Sequence, residues 1–433
     1  MLRGRRSSLC LIATAALLSD GCSCNEEEPI DETLSGTIGS ETSETGPPPD
    51  MGSSTGNEES TTETETETET ETGELPPDLP PDTGCDDGVV APGELCYVRD
   101  NLLQNLPAGA LVLAHFDDDE LLDLGVAQAA GGLVLLGQGD GTFAESASFD
   151  TDSGPLGIAA ADLDNDGDDD LALSLTQDDA LLVALSQGDG GFTAPDSYFV
   201  GIAPRGLHFG DLAGDDTPDL ISANEASGDL SVLDGDGSGS LAAPVSLLVG
   251  SGPIAVSSQD LDEDGELDLV VADVASDTAV VLLQDGGDFP SPVAYAVGAE
   301  PRDLAFADFD GDELIDLAVP NQGSDDISVL FGNGLGGFVG ELVIPVGDAP
   351  RAIALGDYDA DGELDIAVAN RGEDRVGVYL GDGMGNFAPS GSYLTLPGPI
   401  DLVAGDLNGD GVDDLLAASA DPDGGVTLLL SNH

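Results

Sequence analysis

The stretch Asp162-Leu-Asp-Asn-Asp-Gly-Asp-Asp-Asp170-Leu171 decides how this chain is read. Carboxylates stand at its positions 1, 3, 5 and 9, Gly167 sits at position 6, and an apolar run over residues 171–175 follows. Related stretches recur, with the last Asp at Asp123, Asp170, Asp219, Asp268, Asp316, Asp365 and Asp414. The steps between them are 47, 49, 49, 48, 49 and 49 residues. Seven copies at so regular a period define a repeat architecture.

Outward from this loop, residues 157–161 form an apolar strand leading in and residues 171–175 a second strand. Residues 176–179 turn, 180–185 form a third strand, and Gln187-Gly-Asp-Gly-Gly191 turns into Phe192. Residues 197–200 make a fourth strand before Ala203-Pro204 leads to the next copy. Helical spacing is absent. Four short strands in about 48 residues, repeated seven times, predict an all-β fold, a seven-bladed β-propeller of four-stranded blades. The rungs of a β-solenoid, the alternative, are much shorter. The seventh copy, from Ile400, stops after a third strand at 426–430, while residues 98–106 precede the first copy in the fourth-strand position. The N-terminal strand is therefore expected to complete the last blade, closing the ring and hiding both edges.

Carboxylates at positions 1, 3, 5 and 9 of a tight loop repel one another unless a cation lies between them. A flexible, oxygen-only, highly anionic ligand set selects Ca²⁺, and Gly at position 6 permits the sharp turn. The stretches Asp162–Leu171 and Asp260-Leu-Asp-Glu-Asp-Gly-Glu-Leu-Asp268-Leu269, with Gly-rich turns ending in Phe143, Phe192, Phe289, Phe338 and Phe387, resemble the FG-GAP/VCBS repeats of integrin-α-type propellers over about residues 98–433. The resemblance implies Ca²⁺ in the hairpin between the first two strands of a blade. The implied ligands are the side chains at positions 1, 3, 5 and 9 and the carbonyl at 7.

Carried over copy by copy, Asp162/Asp164/Asp166/Asp170, Asp260/Asp262/Asp264/Asp268 and Asp357/Asp359/Asp361/Asp365 are complete. So is Asp406/Asn408/Asp410/Asp414, because an Asn carbonyl can ligate. Asp308/Asp310/Asp312/Asp316 keeps every carboxylate but has Glu313 in place of the glycine, which leaves its turn open. Two sets are weaker: Asp117/Asp119/Asp123, with His115 at position 1, and Asp211/Asp215/Asp219, with Ala213 at position 3. Four to five Ca²⁺ ions are expected, and up to seven; the competing reading is a set of solvated acidic turns.

The chain has 433 residues, 86 acidic and nine basic, for a net charge of −77. No basic surface for nucleic acid can be built from it, nor a polybasic patch for anionic lipid. Residues 1–24 read as a signal peptide, with Arg3, Arg5 and Arg6 ahead of an apolar stretch at 9–18 that is too short to span a bilayer. Gly21-Cys22 after that stretch resembles a bacterial lipoprotein signal, with Cys22 lipidated. Ser19 stands where that pattern has Leu, and ordinary cleavage nearby stays open. Residues 25–84 hold 18 acids and no base, including the Thr-Glu alternation at 62–72. Such a segment reads as a disordered acidic linker rich in Thr, Glu and Pro, spanning about 40–45 Å or more. In a short segment at 85–97, Cys85 and Cys96 are expected to form a disulfide in an exported protein. That segment resembles Cys-bounded stretches of secreted myxobacterial proteins. Cys24 has no assignment.

Arg205, Arg302 and Arg351 follow inter-blade prolines, and Arg371 and Arg375 fall by the second-to-third turn of the sixth copy, all on the side opposite the acidic loops. Arg302, Arg351, Arg371 and Arg375 belong to adjacent blades and form a candidate patch for an anionic ligand. The alternative is pairing with neighbours such as Asp303, Glu373 and Asp374. The chain thus reads as a non-enzymatic, calcium-binding module for adhesion, binding or scaffolding, monomeric, with an unknown surface glycan or protein as partner. It is expected to be an outer-membrane or cell-surface lipoprotein, or else secreted, touching membrane only through the lipid anchor. A purely structural surface protein and a carboxylate-based hydrolase or lyase stay open; the three His, at 115, 208 and 433, form no catalytic spacing.

Overall fold

The computed structural model describes Leu95 and residues 97–431, Asp152 excepted. The expected leader, linker, Cys22 lipidation and Cys85–Cys96 disulfide lie outside the described residues. Strands are numbered β1 to β28 in chain order. β1 (Tyr97–Gln104) precedes blade one, made of β2 (Ala108–Ala114), β3 (Asp123–Gln128), β4 (Gly131–Gly137) and β5 (Phe143–Asp150). Blade two is β6 (Gly157–Ala161), β7 (Asp170–Leu175), β8 (Ala180–Ala184) and β9 (Asp196–Phe199). Blade three is β10 (Pro204–Gly210), β11 (Asp219–Asn224), β12 (Asp229–Leu233) and β13 (Val245–Leu248). Blade four is β14 (Pro253–Gln259), β15 (Asp268–Asp273), β16 (Thr278–Leu282) and β17 (Val293–Ala296). Blade five is β18 (Ala305–Ala307), β19 (Asp316–Asn321), β20 (Asp326–Gly332) and β21 (Phe338–Pro345). Blade six is β22 (Pro350–Gly356), β23 (Asp365–Asn370), β24 (Arg375–Gly381) and β25 (Phe387–Leu394). Blade seven is β26 (Pro399–Gly405), β27 (Asp414–Ser419) and β28 (Gly425–Ser431).

Each blade is a four-stranded antiparallel sheet in sequence order, except that β1 supplies the outer strand of blade seven, in the order β1-β28-β27-β26. Tyr97 pairs with Ser431, and the ladder runs to Gln104 opposite Gly425. The Tyr97 ring stacks edge-on against Tyr393 of blade six, 4.9 Å between centroids, so the closing strand is also packed. The expected closure is therefore present, one residue earlier than the sequence suggested.

The short apolar runs form strands because they are covered on both faces. All six residues of β7, β11, β15, β19, β23 and β27 are buried. Outer strands face solvent: in β9, β13 and β17 three residues of four are exposed and one is half-buried. The core is divided into clusters that each join two neighbouring blades, such as Leu171 and Leu173 with Phe116 between blades one and two. Position 2 of every acidic loop feeds these junctions. Phe116, Leu163, Leu212, Leu261, Phe309, Tyr358 and Leu407 are all buried. Phe192 and Phe387, at the ends of Gly-rich turns, pack edge-on against Phe116 and Phe309 of the preceding blade. Among the described residues no helix is long and apolar enough to cross a membrane.

Candidate metal centres and the channel mouth

In every blade the Asp at position 9 opens the second strand, opposite the last residue of the first. The pairs run from Ala114 with Asp123 to Gly405 with Asp414. This register lays the nine-residue loop at one end of the inner hairpin. Position 1 then organises the turn. Asp162 accepts the Asp166 amide on Oδ1 at 3.1 Å and the Gly167 amide on Oδ2 at 3.0 Å. Asp211, Asp260, Asp308, Asp357 and Asp406 hold the amides of positions 5 and 6 in the same way. Position 5 accepts the amide of position 7, as Asp264 does from Glu266 at 2.9 Å.

Position 6 takes positive φ in six loops, through Gly167, Gly265, Gly362 and Gly411 but also Asp216 (φ 67) and Glu313 (φ 70). The fifth turn thus forms without the glycine. Its three amide bonds to Asp308, from Gly311, Asp312 and Glu313, offset the steric cost of a left-handed non-glycine residue. The first loop has no position-1 carboxylate and takes another course. The His115 amide donates to Asp169 Oδ2 of blade two at 2.9 Å, and the ring nitrogen Nδ1 lies 2.9 Å from the Leu121 carbonyl.

Five carboxylate groups could hold a metal ion, each with ligand atoms within 4.8 Å of one another: Asp117/Asp119/Asp123, Asp162/Asp164/Asp170, Asp260/Asp262/Asp268, Asp308/Asp310/Asp316 and Asp357/Asp359/Asp361. The position-3 oxygens Asp164 Oδ1, Asp262 Oδ1 and Asp310 Oδ1 are buried and accept no hydrogen bond. Burial raises the carboxyl pKa of Asp164, Asp262, Asp310 and Asp359 above the usual range, and the Asp at position 5 adds repulsion. Buried anionic oxygens without donors, facing further carboxylates, fit a hard cation.

Each of these groups holds three carboxylates, where the complete sets were expected to supply four ligands. The position-5 residues Asp166, Asp264 and Asp312 were expected as ligands and fall outside their groups. All three are exposed, and each turns Oδ1 to the amide of position 7: Asp166 to Asp168 at 3.1 Å, Asp264 to Glu266 at 2.9 Å and Asp312 to Leu314 at 2.9 Å. In the sixth loop the membership differs: Asp361 joins the group and Asp365 does not.

The weaker first set does converge, because the hairpin register holds Asp117, Asp119 and Asp123 together despite His115. Among the described residues the third set, Asp211/Asp215/Asp219, does not. Ala213 removes the bridging carboxylate, and the Thr217 hydroxyl donates to Asp215 at 2.6 Å instead. In the seventh loop the expected set Asp406/Asn408/Asp410/Asp414 brings no three carboxylates together. Asn408 stands between them, accepting the Asp410 amide at 2.9 Å and pointing Nδ2 at Asp414 Oδ1, 3.4 Å away.

Position 9 has a second task that the sequence reading missed. Both oxygens of Asp268 are spent on backbone amides, Leu261 at 3.0 Å and Gln284 at 2.8 Å. The same two-armed clamp recurs at Asp123, Asp170, Asp219, Asp316, Asp365 and Asp414. It ties the loop to the end of the third strand. Burial pushes Asp170 up to about 7 and Asp123, Asp365 and Asp414 to about 6, against the lowering effect of these amides. The signal in the sequence was the apolar residue at position 2 in all seven copies, which presents its amide to the clamp.

At the other end of the inner strands lies a cavity of about 310 Å³, lined by residues from all seven blades, including Arg205, Arg302, Asp303, Arg351 and Asp401. The expected patch is redrawn here. Arg205 joins Arg302 and Arg351 in the cavity wall. Arg371 sits in a single 3-10 turn, Arg371–Glu373, and pairs with Asp421 at 3.2 Å. Arg375 begins β24 and donates to the Ser392 carbonyl at 3.1 Å, away from the cavity. Sequence adjacency of blades misled because the wall is built from one equivalent position per blade. The neighbours expected as partners are not the ones used, either. Arg205 pairs with Glu225, and Arg302 with Glu300 at 2.9 Å. Asp303 instead accepts the Leu304 and Ile353 amides. His208, in β10, is half-buried with Nε2 2.9 Å from Ser258 Oγ, and desolvation pushes it down to about 4.

With this geometry the sequence comparison is direct. The chain matches the FG-GAP-like repeat family over residues 115–173, 211–271, 260–319, 308–368 and 357–417, and it belongs to that family. No curated protein matches it. Among solved structures it is similar to a streptogramin B lyase (TM-score 0.55, 14% identity, covering 79% of this chain and 100% of that one). It is also similar to BBS1N in complex with ARL6DN (TM-score 0.56, 12% identity, 79% and 98%). A third similar structure is the hydrazine synthase of Kuenenia stuttgartiensis (TM-score 0.54, 14% identity, 76% and 96%). At such identities the likeness is one of fold alone.

Proposed function

We propose that this chain is a calcium-stiffened propeller that serves as a non-catalytic binding or scaffold module outside the cell, with a surface glycan or protein as partner. The observation that carries the calcium reading is the set of buried, donorless oxygens on Asp164, Asp262 and Asp310, each facing further carboxylates. Ca²⁺ accepts six to eight oxygen ligands in flexible geometry, which suits loops whose carboxylates already hold their shape through backbone amides. Ions there would fix one end of the ring and leave the opposite end for recognition. The leader and the acidic residues 25–84 support display on the outside, where weak extracellular-type affinities suffice for occupancy.

Five ions per chain are expected after dialysis against millimolar Ca²⁺, read by elemental analysis against the dialysis buffer, and Asp262→Ala should remove one. Excess chelator should lower the melting temperature by several degrees, since occupancy of one site at a hundred times its Kd contributes about 2.7 kcal/mol. Unchanged melting in chelator would sink the calcium reading.

A further inference from the structure

The cavity at the channel mouth carries chemistry that the calcium sites do not use. The residue following each inter-blade turn faces it. Arg205, Arg302 and Arg351 share this ring with Leu156, Ile254 and Ile400. In blades three and six, as in blades one, four and seven, the ladder slips at this position; there it does so between Pro204 and Leu207 and between Pro350 and Ala352. Such bulges re-aim a side chain out of the regular alternation. The described residues contain six Arg against a large acidic excess, and three of the six meet here.

Arg351 is distinct among them. Arg205 and Arg302 each have an acidic partner, whereas among the described residues Arg351 has neither an ion pair nor a side-chain hydrogen bond. Its Nε is buried and unsatisfied, as is that of Arg302. Burial, with Arg302, Arg371 and Arg205 repelling it, brings the guanidinium down to about 10, and Glu300 opposes this only in part. The two carboxylates in the wall do not serve it. Asp303 bonds the Leu304 and Ile353 amides, and Asp401 the Leu402 and Leu111 amides. A protein of such negative charge gains nothing in stability from a desolvated, unpaired cation held beside three others. The site lacks one negative charge.

We infer that the channel mouth binds a small monocarboxylate, its carboxylate forked by Arg351 with Arg302 beside it and its carbon body against Leu156, Ile254 and Ile400. A guanidinium offers paired N–H donors that match a carboxylate, and a cavity of this size admits a small molecule. One unpaired Arg calls for one negative charge, which disfavours a dianion. The inference deepens the binding-module reading and is independent of the metal.

The test is calorimetric titration of the full chain, saturated with Ca²⁺ at fixed ionic strength. Isovalerate and galacturonate serve as carboxylates on apolar and polar bodies, with isovaleramide and inorganic phosphate as controls. One carboxylate should bind saturably, isovaleramide should not, and phosphate should bind more weakly. Arg351→Gln should weaken binding at least tenfold, Arg351→Lys should lie between, and Arg99→Gln should leave it unchanged. Removing Ca²⁺ below the melting transition should leave binding in place, which separates this site from the metal reading. The proposal fails if neither carboxylate binds the wild-type chain, if phosphate binds more tightly than both, or if a folded Arg351→Gln protein binds like wild type.

Discussion

A single ninth-position aspartate holds together three pieces of chain. In blade four, Asp268 starts β15, accepts the Leu261 amide from the loop and accepts the Gln284 amide from the end of β16. Removing its charge leaves a buried donor unsatisfied, which costs about 2–4 kcal/mol. Asp268→Asn should therefore melt earlier than wild type in excess Ca²⁺ and in chelator alike, whereas Asp262→Ala should lose stability only where Ca²⁺ is present. The channel aspartates give a second prediction at this scale. Burial, with Asp303 adding repulsion, raises Asp401 to about 7, and burial raises Asp303 to about 6. The folded state then binds protons that the unfolded state has released, so each group destabilises the fold as pH rises from about 4 through its folded pKa. The slope is up to about 1.4 kcal/mol per pH unit per group. In chelator, stability should increase as pH falls from 7.5 to 5, and denaturant titrations should show a smaller increase in Asp401→Asn.

The closing strand is the element on which the ring depends. β1 is held by its ladder to β28 and by the Tyr97–Tyr393 contact. Tyr97→Ala should cost about 3–5 kcal/mol, and hydrogen exchange should quicken first at Leu428 and Leu429. Elements of this kind were readable from sequence: the strands expected at 157–161, 171–175, 180–185 and 197–200 match β6 to β9 within a residue or so at each end. Period and turn chemistry suffice for that, because each strand is local. The carboxylate loops were legible for the same reason, His115 and Glu313 included, since the hairpin register carries the geometry past a substitution. Which carboxylates of a loop converge was less legible, because the sixth loop gathers Asp361 where the second, fourth and fifth gather their position-9 Asp, a difference in side-chain direction that spacing does not display. The arginine site was not legible as a site. Arg205, Arg302 and Arg351 become neighbours only when the ring closes, and the residue after each inter-blade Pro was the available signal. The partners Glu225, Glu300 and Asp421 likewise depend on side-chain directions that spacing does not encode.

For the whole molecule, the net charge of −77 is sorted by place. Eighteen acids belong to residues 25–84, and many of the rest form the carboxylate positions of seven loops at one end of the ring. Of the six Arg among the described residues, Arg205, Arg302 and Arg351 meet at the other end. Added salt should accordingly stabilise the calcium-free protein more than the loaded one, since screening substitutes for part of the counter-charge. Melting curves across salt concentrations, with and without chelator, would show that difference.

The ladder between β1 and β28 also sets a clock. The strand that leaves the ribosome before any other in the propeller has its partner among the last to be made, more than 300 residues later. Until that partner emerges, blade seven has an open edge and the blades on either side lack part of their cover. Closure of the ring is deferred until β28 has been synthesised. Contacts of such high sequence separation form late, so the edge of blade seven stays open through most of synthesis and the ring shuts only when β28 is available to pair.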